Sequence, residues 1–164
     1  MQPKTLATAF ADTLKDIYFA ERQILKALPK MIRAAQSPEL KAGFTKHLQE
    51  TEGQVDRLQQ VFEIIGARAQ AKTCPAILGI LEEGAEVMEA YKDSPALDAA
   101  LAAAAQAVEH YEMARYGALK TWAALLGHDA AVPLLQQTLD EEHAANDALS
   151  MVAEEVNQMA MAAE

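Results

Sequence analysis

A chain of 164 residues with 51% apolar side chains is long enough for one domain with a substantial core, and short for two. A formal charge of -10 with no Lys/Arg-rich run excludes a phosphate-binding face, and with it nucleic acid as a partner. No apolar stretch approaches the roughly 18 residues of a membrane span, the first residues do not read as a secretory signal, and the single Cys74 excludes an intrachain disulfide, so a cytoplasmic protein is expected. Alanine is the commonest residue and aromatics are only 5%, while strong helix formers dominate and β-branched residues are scarce, which points to an all-α protein.

The first helical pattern runs from about Thr5 to Gln36, with Pro29 inside it, where a lost backbone hydrogen bond predicts a kink. Ser37-Pro38 reads as an N-cap followed by proline at the first helical position, opening a second helix over 38–65 that Gly66 closes. The connection over 67–94 contains a shorter helix at 76–91. Ser94-Pro95 repeats the cap-and-proline signal and predicts a third long helix over 95–126, ending near Gly127. Asp129 is placed to cap a fourth over 129–159, with Pro133 harmless in its first turn. Short turns near 37 and 128 make two antiparallel hairpins, and the long connection carries the chain from one to the other. The predicted fold is a single domain over 1–164, an antiparallel four-helix bundle with a crossover that bears a short extra helix.

Acidic residues interrupt the apolar seams of these helices. The first helix runs Phe10, Leu14, Ile17, Glu21, Ile24, Leu28, Met31, in steps of four and three. The third runs Leu101, Ala105, Val108, Glu112, Arg115, Leu119, and the fourth runs Leu135, Leu139, Glu142, Asn146, Leu149, Ala153, Val156. An uncompensated buried carboxylate costs several kcal/mol, roughly, so something must neutralise these groups. The second helix has the seam Phe44, Leu48, Thr51, Val55, Leu58, Phe62, Ile65, with Glu50 on its flank and His47 and Gln54 nearer the stripe on the same side.

Depth along the hairpins supports a common site. Glu21 lies 16 residues before Ser37 and Glu50 13 after it; Glu112 lies 16 before His128 and Glu142 14 after it. At 1.5 Å per residue all four stand about 20–24 Å from their turns. Glu109, one turn before Glu112, adds a second carboxylate on that helix. The candidate metal ligands are therefore Glu21, Glu50, Glu109, Glu112 and Glu142, and the implied cofactor is a divalent metal, iron or else manganese. A bland alternative pairs Glu112 with Arg115. His47, His110 and His143 stand beside the proposed ligands, and Gln54 and Asn146 fall where they could hydrogen-bond them. Tyr18, a turn before Glu21, could do the same, Cys74 has no partner, and Met151, Met159 and Met161 read as packing or a partner surface.

The segments LKDIYFAERQILKALPKM (14–31), FTKHLQETEGQVDRLQQVFE (44–63), VEHYEMARYGALKTWAALLG (108–127) and LLQQTLDEEHAANDAL (134–149) resemble the YciE/YciF stress-protein family, a ferritin-like group related to rubrerythrin. The resemblance covers nearly the whole chain. It implies a ferritin-like bundle, a homodimer, and a role in bacterial stress. In rubrerythrin-type di-iron centres the first helix gives a glutamate, matching Glu21, and the third an E-x-x-E pair, matching Glu109 and Glu112. The second and fourth each give a glutamate followed by a histidine; Glu50 and Glu142 match, but Gly53-Gln54 and Asn146 stand where the histidines belong. No Cys-x-x-Cys pair for an electron-transfer domain exists. The expected function is a metal-binding ferritin-like stress protein with di-iron, O2- or peroxide-dependent chemistry. The alternative is a structural or partner-binding stress protein whose metal site is degenerate or purely structural.

Overall fold

The computed structural model describes residues 4–163, so the outermost residues of the expected 1–164 domain lie outside it. Among the described residues there are five helices and no strand: α1 (Leu6–Ala34), α2 (Pro38–Ile64), α3 (Pro75–Ala90), α4 (Leu97–Leu125) and α5 (Val132–Ala162). The all-α expectation holds, and each predicted helix is present with ends shifted by at most three residues.

Local chemistry accounts for most of these ends. Thr5 and Thr8 form a reciprocal cap at the start of α1, Thr5 Oγ1 accepting from Thr8 N at 3.2 Å. Pro29 sits inside α1, and the helix runs through it. Ser37 Oγ caps α2 by accepting from Leu40 N at 3.3 Å, with Pro38 behind it in the first turn. α2 and α4 end identically. Gly66 and Gly127 adopt φ of +67° and +76°, letting Ala67 N reach Phe62 O (2.9 Å) and His128 N reach Ala123 O (2.8 Å). This closure satisfies the last carbonyls, and only glycine adopts the left-handed turn without strain.

Two predicted starts are corrected. Ser94-Pro95 does not open α4: Leu97 N bonds back to Ser94 O at 3.1 Å, a tight turn that delays the helix to Leu97. Asp129 does not cap α5 either. Ala131 N bonds to His128 O at 2.9 Å, and the helix begins at Val132 with Ala131 as an N-cap that offers no side-chain bond. In both places a turn consumes the residues that the cap signal would have placed in the helix.

α1 packs against α2 and α4, α5 against α2 and α4, and α3 lies against α1 and α4. One apolar cluster runs between them, from Phe10, Leu14 and Ile17 through Leu58, Phe62 and Leu101 to Leu119 and Leu135. The α1–α2 turn is fastened to the start of α4. The carboxylate of Asp98, only 6% exposed, accepts from the backbone N–H groups of Gln36 (2.8 Å) and Ser37 (2.5 Å) across more than sixty residues of sequence. Without it two donors lose a charged acceptor in a part-buried setting. Asp98→Ala is expected to cost about 2–4 kcal/mol in urea denaturation, and Asp98→Asn, which keeps one acceptor oxygen, visibly less; an Ala variant as stable as the wild type would remove this fastening from the account.

Candidate metal centre

Burial along the four long helices follows the predicted seams closely in α1, where every named position from Phe10 to Met31 is buried, Glu21 included. In α4 the buried line is Ala105, Glu109, Glu112, Tyr116, Leu119, Ala123. Tyr116 therefore takes the place expected of Arg115, which is exposed and lies over the Tyr111 ring. The proposed Glu112–Arg115 pairing is not formed. In α5, Glu142 is buried between Leu139 and Ala145. The buried residues of α2 are Leu40, Phe44, His47, Thr51, Gln54, Leu58, Val61 and Phe62; of the predicted stripe Leu48, Val55 and Ile65 are only partly buried, and the seam is displaced by one residue at His47 and Gln54. That displacement turns His47 inward and leaves Glu50 at the edge.

Four residues from three helices converge: His47, Glu109, Glu112 and Glu142 each present one ligand atom, all within 4.8 Å of one another. His47 Nε2 lies 3.5 Å from Glu109 Oε1, 3.8 Å from Glu112 Oε2 and 4.0 Å from Glu142 Oε2. Glu21 adjoins this set from α1, its carboxyl close to those of Glu112 and Glu142, and it accepts a hydrogen bond from the buried Tyr116 hydroxyl. Glu50 is the predicted ligand that stands outside the close group. It is partly exposed, bonded to Lys46 Nζ at 2.6 Å, and 4.0 Å from His47 Nδ1.

The remaining candidates are engaged elsewhere. Gln54 donates to Glu141 (3.2 Å), which also pairs with Arg57, while Arg57 Nε donates to Thr138 Oγ1 at 2.9 Å. Asn146 accepts from Gln106 at 3.3 Å. Tyr18 accepts from Gln59 at 3.3 Å and meets Phe62 edge-on rather than bonding Glu21. His110 and His143 are exposed. Cys74 is buried, with its sulfur 3.0 Å from the Tyr111 hydroxyl.

The electrostatics of the cluster are those of a site lacking a counter-charge. Burial, followed by the charge of Glu142, raises the Glu21 carboxyl to about 8, against the opposing hydrogen bond from Tyr116. Burial, then a hydrogen bond with Glu142 and the charge of Glu142, push Glu109 up to about 11, and burial lifts Glu112 well above the carboxylate range. Burial lowers His47, favouring the neutral imidazole, which has a lone pair to give. Neither nitrogen of His47, neither oxygen of Glu112 or Glu142, and one oxygen each of Glu21 and Glu109 finds a hydrogen-bond partner. Buried polar atoms are ordinarily satisfied, so this many orphans in one place calls for a ligand. The donor set fits a cation. Donors about 2.1 Å from one ion stand at most about 4.2 Å apart, so the observed group needs to contract by only a few tenths of an ångström. One imidazole among carboxylates suits a hard or borderline divalent ion.

Residues 5–162 match the family described as "Domain of unknown function (DUF892)". Protein YciF of Escherichia coli K12 is 43% identical over 154 residues, 93% of each chain. The crystal structure of the E. coli stress protein YciF superposes with a TM-score of 0.91 at 41% identity, covering 95% of this chain and 99% of that one. YcfI of Rhodopseudomonas palustris, whose description suggests a structural role, gives 0.87 at 49% identity over 90% and 94%. A Xanthomonas campestris protein at 18% identity and a TM-score of 0.75 shares the fold.

The raised carboxyls give the metal-free protein a definite pH dependence. Because the folded Glu21 holds its proton to about pH 8 while the unfolded one releases it near 4.5, its contribution to stability is intact below 4.5 and is lost as pH rises through 8. After chelation the melting temperature is expected to fall between about pH 5 and about pH 9, and a saturating divalent cation to flatten that fall. Thermal melts across this range check it; a metal-free melting temperature that rises with pH there would contradict the assignment.

Proposed function

The chain belongs to the DUF892 family and is similar over nearly its whole length to the stress protein YciF, and from that premise we propose that it is a ferritin-like, metal-binding stress protein whose four long helices form an antiparallel bundle around a carboxylate–imidazole centre. The observation that carries this reading is the convergence of His47, Glu109, Glu112 and Glu142 in a dry interior with their donor atoms unpartnered. Glu21 joins them from α1, and Glu50 remains a ligand within reach should it leave Lys46. Iron is the favoured ion and manganese the next, since both accept mixed nitrogen and carboxylate donors.

When bound, two ferrous ions would supply two electrons, which with two protons reduce dioxygen to hydrogen peroxide, or peroxide to two waters. The residues of the chain do the rest. Glu109 and Glu112, a turn apart on α4, are spaced to share ions between them, and Glu142 faces them from α5. His47 gives the single nitrogen donor, from the turn before Glu50 rather than the turn after it. Tyr116 orients Glu21 through its hydroxyl and holds a proton against that carboxyl. The apolar core around them keeps bulk water out, which strengthens every charge interaction within.

The reading extends to a cytoplasmic homodimer. Leu125, Met151, Met159 and Met161 are exposed, most of them along α5, and such apolar side chains suit a surface that a second copy covers. No described helix is long and apolar enough to cross a membrane, and the acidic surface gives nucleic acid no footing. A second reading, a structural or partner-binding stress protein with a structural ion only, draws support from the description of the R. palustris relative.

Metal analysis and anaerobic Fe²⁺ titration test the proposal. Wild-type protein is expected to bind at least one equivalent. Glu112→Gln, which keeps shape and loses charge, is expected to bind roughly 100-fold more weakly, and His47→Ala comparably so. Iron uptake with no oxidation by either oxidant would select the structural reading; no uptake of any transition ion would end the metal reading altogether.

A further inference from the structure

Between α2 and α5 a cavity of about 50 Å³ leads from the surface to the edge of the cluster. Its inner end is formed by His47 and Glu109, and its outer end reaches the exposed Glu39, Lys46 and Ala148. The walls between are apolar: Leu40, Gly43, Phe44, Ala145 and Leu149. By that measure a single water needs about 10–15 Å³, so the space admits a small molecule such as a diatomic gas with room to spare.

We propose that this cavity is the entry port for dioxygen, an inference that rests on the metal reading above and chooses between the oxidants it leaves open. Dioxygen has no hydrogen bonds to lose on entering an apolar space. Peroxide, with two donors and four lone pairs, forfeits its hydration there, and a cation forfeits far more. The rim charges, Glu39 and the Lys46–Glu50 pair, do not turn cations away, so the discrimination lies in the apolar walls.

Gly43 stands on the wall of this cavity. Glycine inside a helix costs about 1 kcal/mol relative to alanine, and here no neighbour needs the room, because a Cβ at Gly43 would meet nothing within 4 Å. What the missing side chain leaves open is the port itself. Ala145 and Ala148 keep the opposite wall low in the same way.

The variant Gly43→Leu places a larger apolar side chain on the cavity wall, where a Cβ meets nothing within 4 Å, and is expected to fold as wild type, which its crystal structure and melting temperature check. Xenon, an apolar probe that needs no metal, is expected to bind between Phe44 and Leu149 in pressurised crystals of metal-free wild-type protein and to be absent from Gly43→Leu. Anaerobic Fe²⁺ uptake is expected to be the same in both proteins, while oxidation of the bound iron by dioxygen slows at least about tenfold in the variant and oxidation by peroxide slows less. Xenon missing from the wild-type port, or an unchanged dioxygen rate in a variant whose crystal structure shows the leucine in place, would overturn the port. Equal slowing with both oxidants would overturn the assignment to dioxygen. Failure of both proteins to take up iron would sink the metal reading and this inference with it, whereas uptake with unchanged oxidation sinks this inference alone.

Discussion

Four carboxyl groups and one imidazole occupy the centre of a helical core without enough partners to satisfy them, and the rest of the molecule is arranged around that fact. Charged groups in such a place are tolerable only when protonated or held by a cation. The upward shifts of Glu21, Glu109 and Glu112 express the first solution, and the close grouping around His47 anticipates the second. A core designed for stability alone would carry leucine at these positions. Glutamates from two helices and His47 from a third, brought together in the interior, form a group that could hold a metal ion.

That level is set by features far from the cluster. The turns after α1 and α4 fix how each hairpin folds back, with the glycine closures ending α2 and α4 sharply. Asp98 then ties the first turn to the head of α4, which sets the height of α4 relative to α1 and so the height of Glu109 and Glu112 relative to Glu21. Arg57, Thr138, Glu141 and Gln54 link α2 to α5 just beyond the cluster. The polar residues near the centre that stand outside the cluster thus hold together the helices that carry it.

Much of this was legible in the sequence because α1, α4 and α5 have seams with one obvious phase. Glu21, Glu112 and Glu142 interrupt rows of apolar residues, and each is buried where the row places it. α2 misled because it offers two seams. Of the predicted row 44, 48, 51, 55, 58, 62, 65, the residues Phe44, Thr51, Leu58 and Phe62 are buried, but the row 40, 44, 47, 51, 54, 58, 61 is buried throughout and contains His47 and Gln54, which look like surface residues. The steps of four and three in the second row are as regular as in the first, and a histidine on a regular row beside glutamate rows was the available signal. Expecting the histidine after Glu50 obscured the one before it. Arg115 and Tyr116 posed the same problem in α4, where only packing decides which neighbour turns in. Asp98 and the Arg57–Glu141 pair bridge residues more than sixty positions apart, and nothing local announces such contacts. The starts of α4 and α5 were misplaced because a serine or aspartate before a helix serves a turn as readily as a cap.

The division of the cluster between the two hairpins has a consequence of its own. His47 and Glu21 belong to the first, and Glu109, Glu112 and Glu142 to the second, so neither half of the chain can assemble the set alone. An ion held there is a rivet through both halves, and prying them apart must release it. Affinity and docking are then two sides of one equilibrium: a cell short of the metal would hold a looser protein, and one rich in it a tighter one.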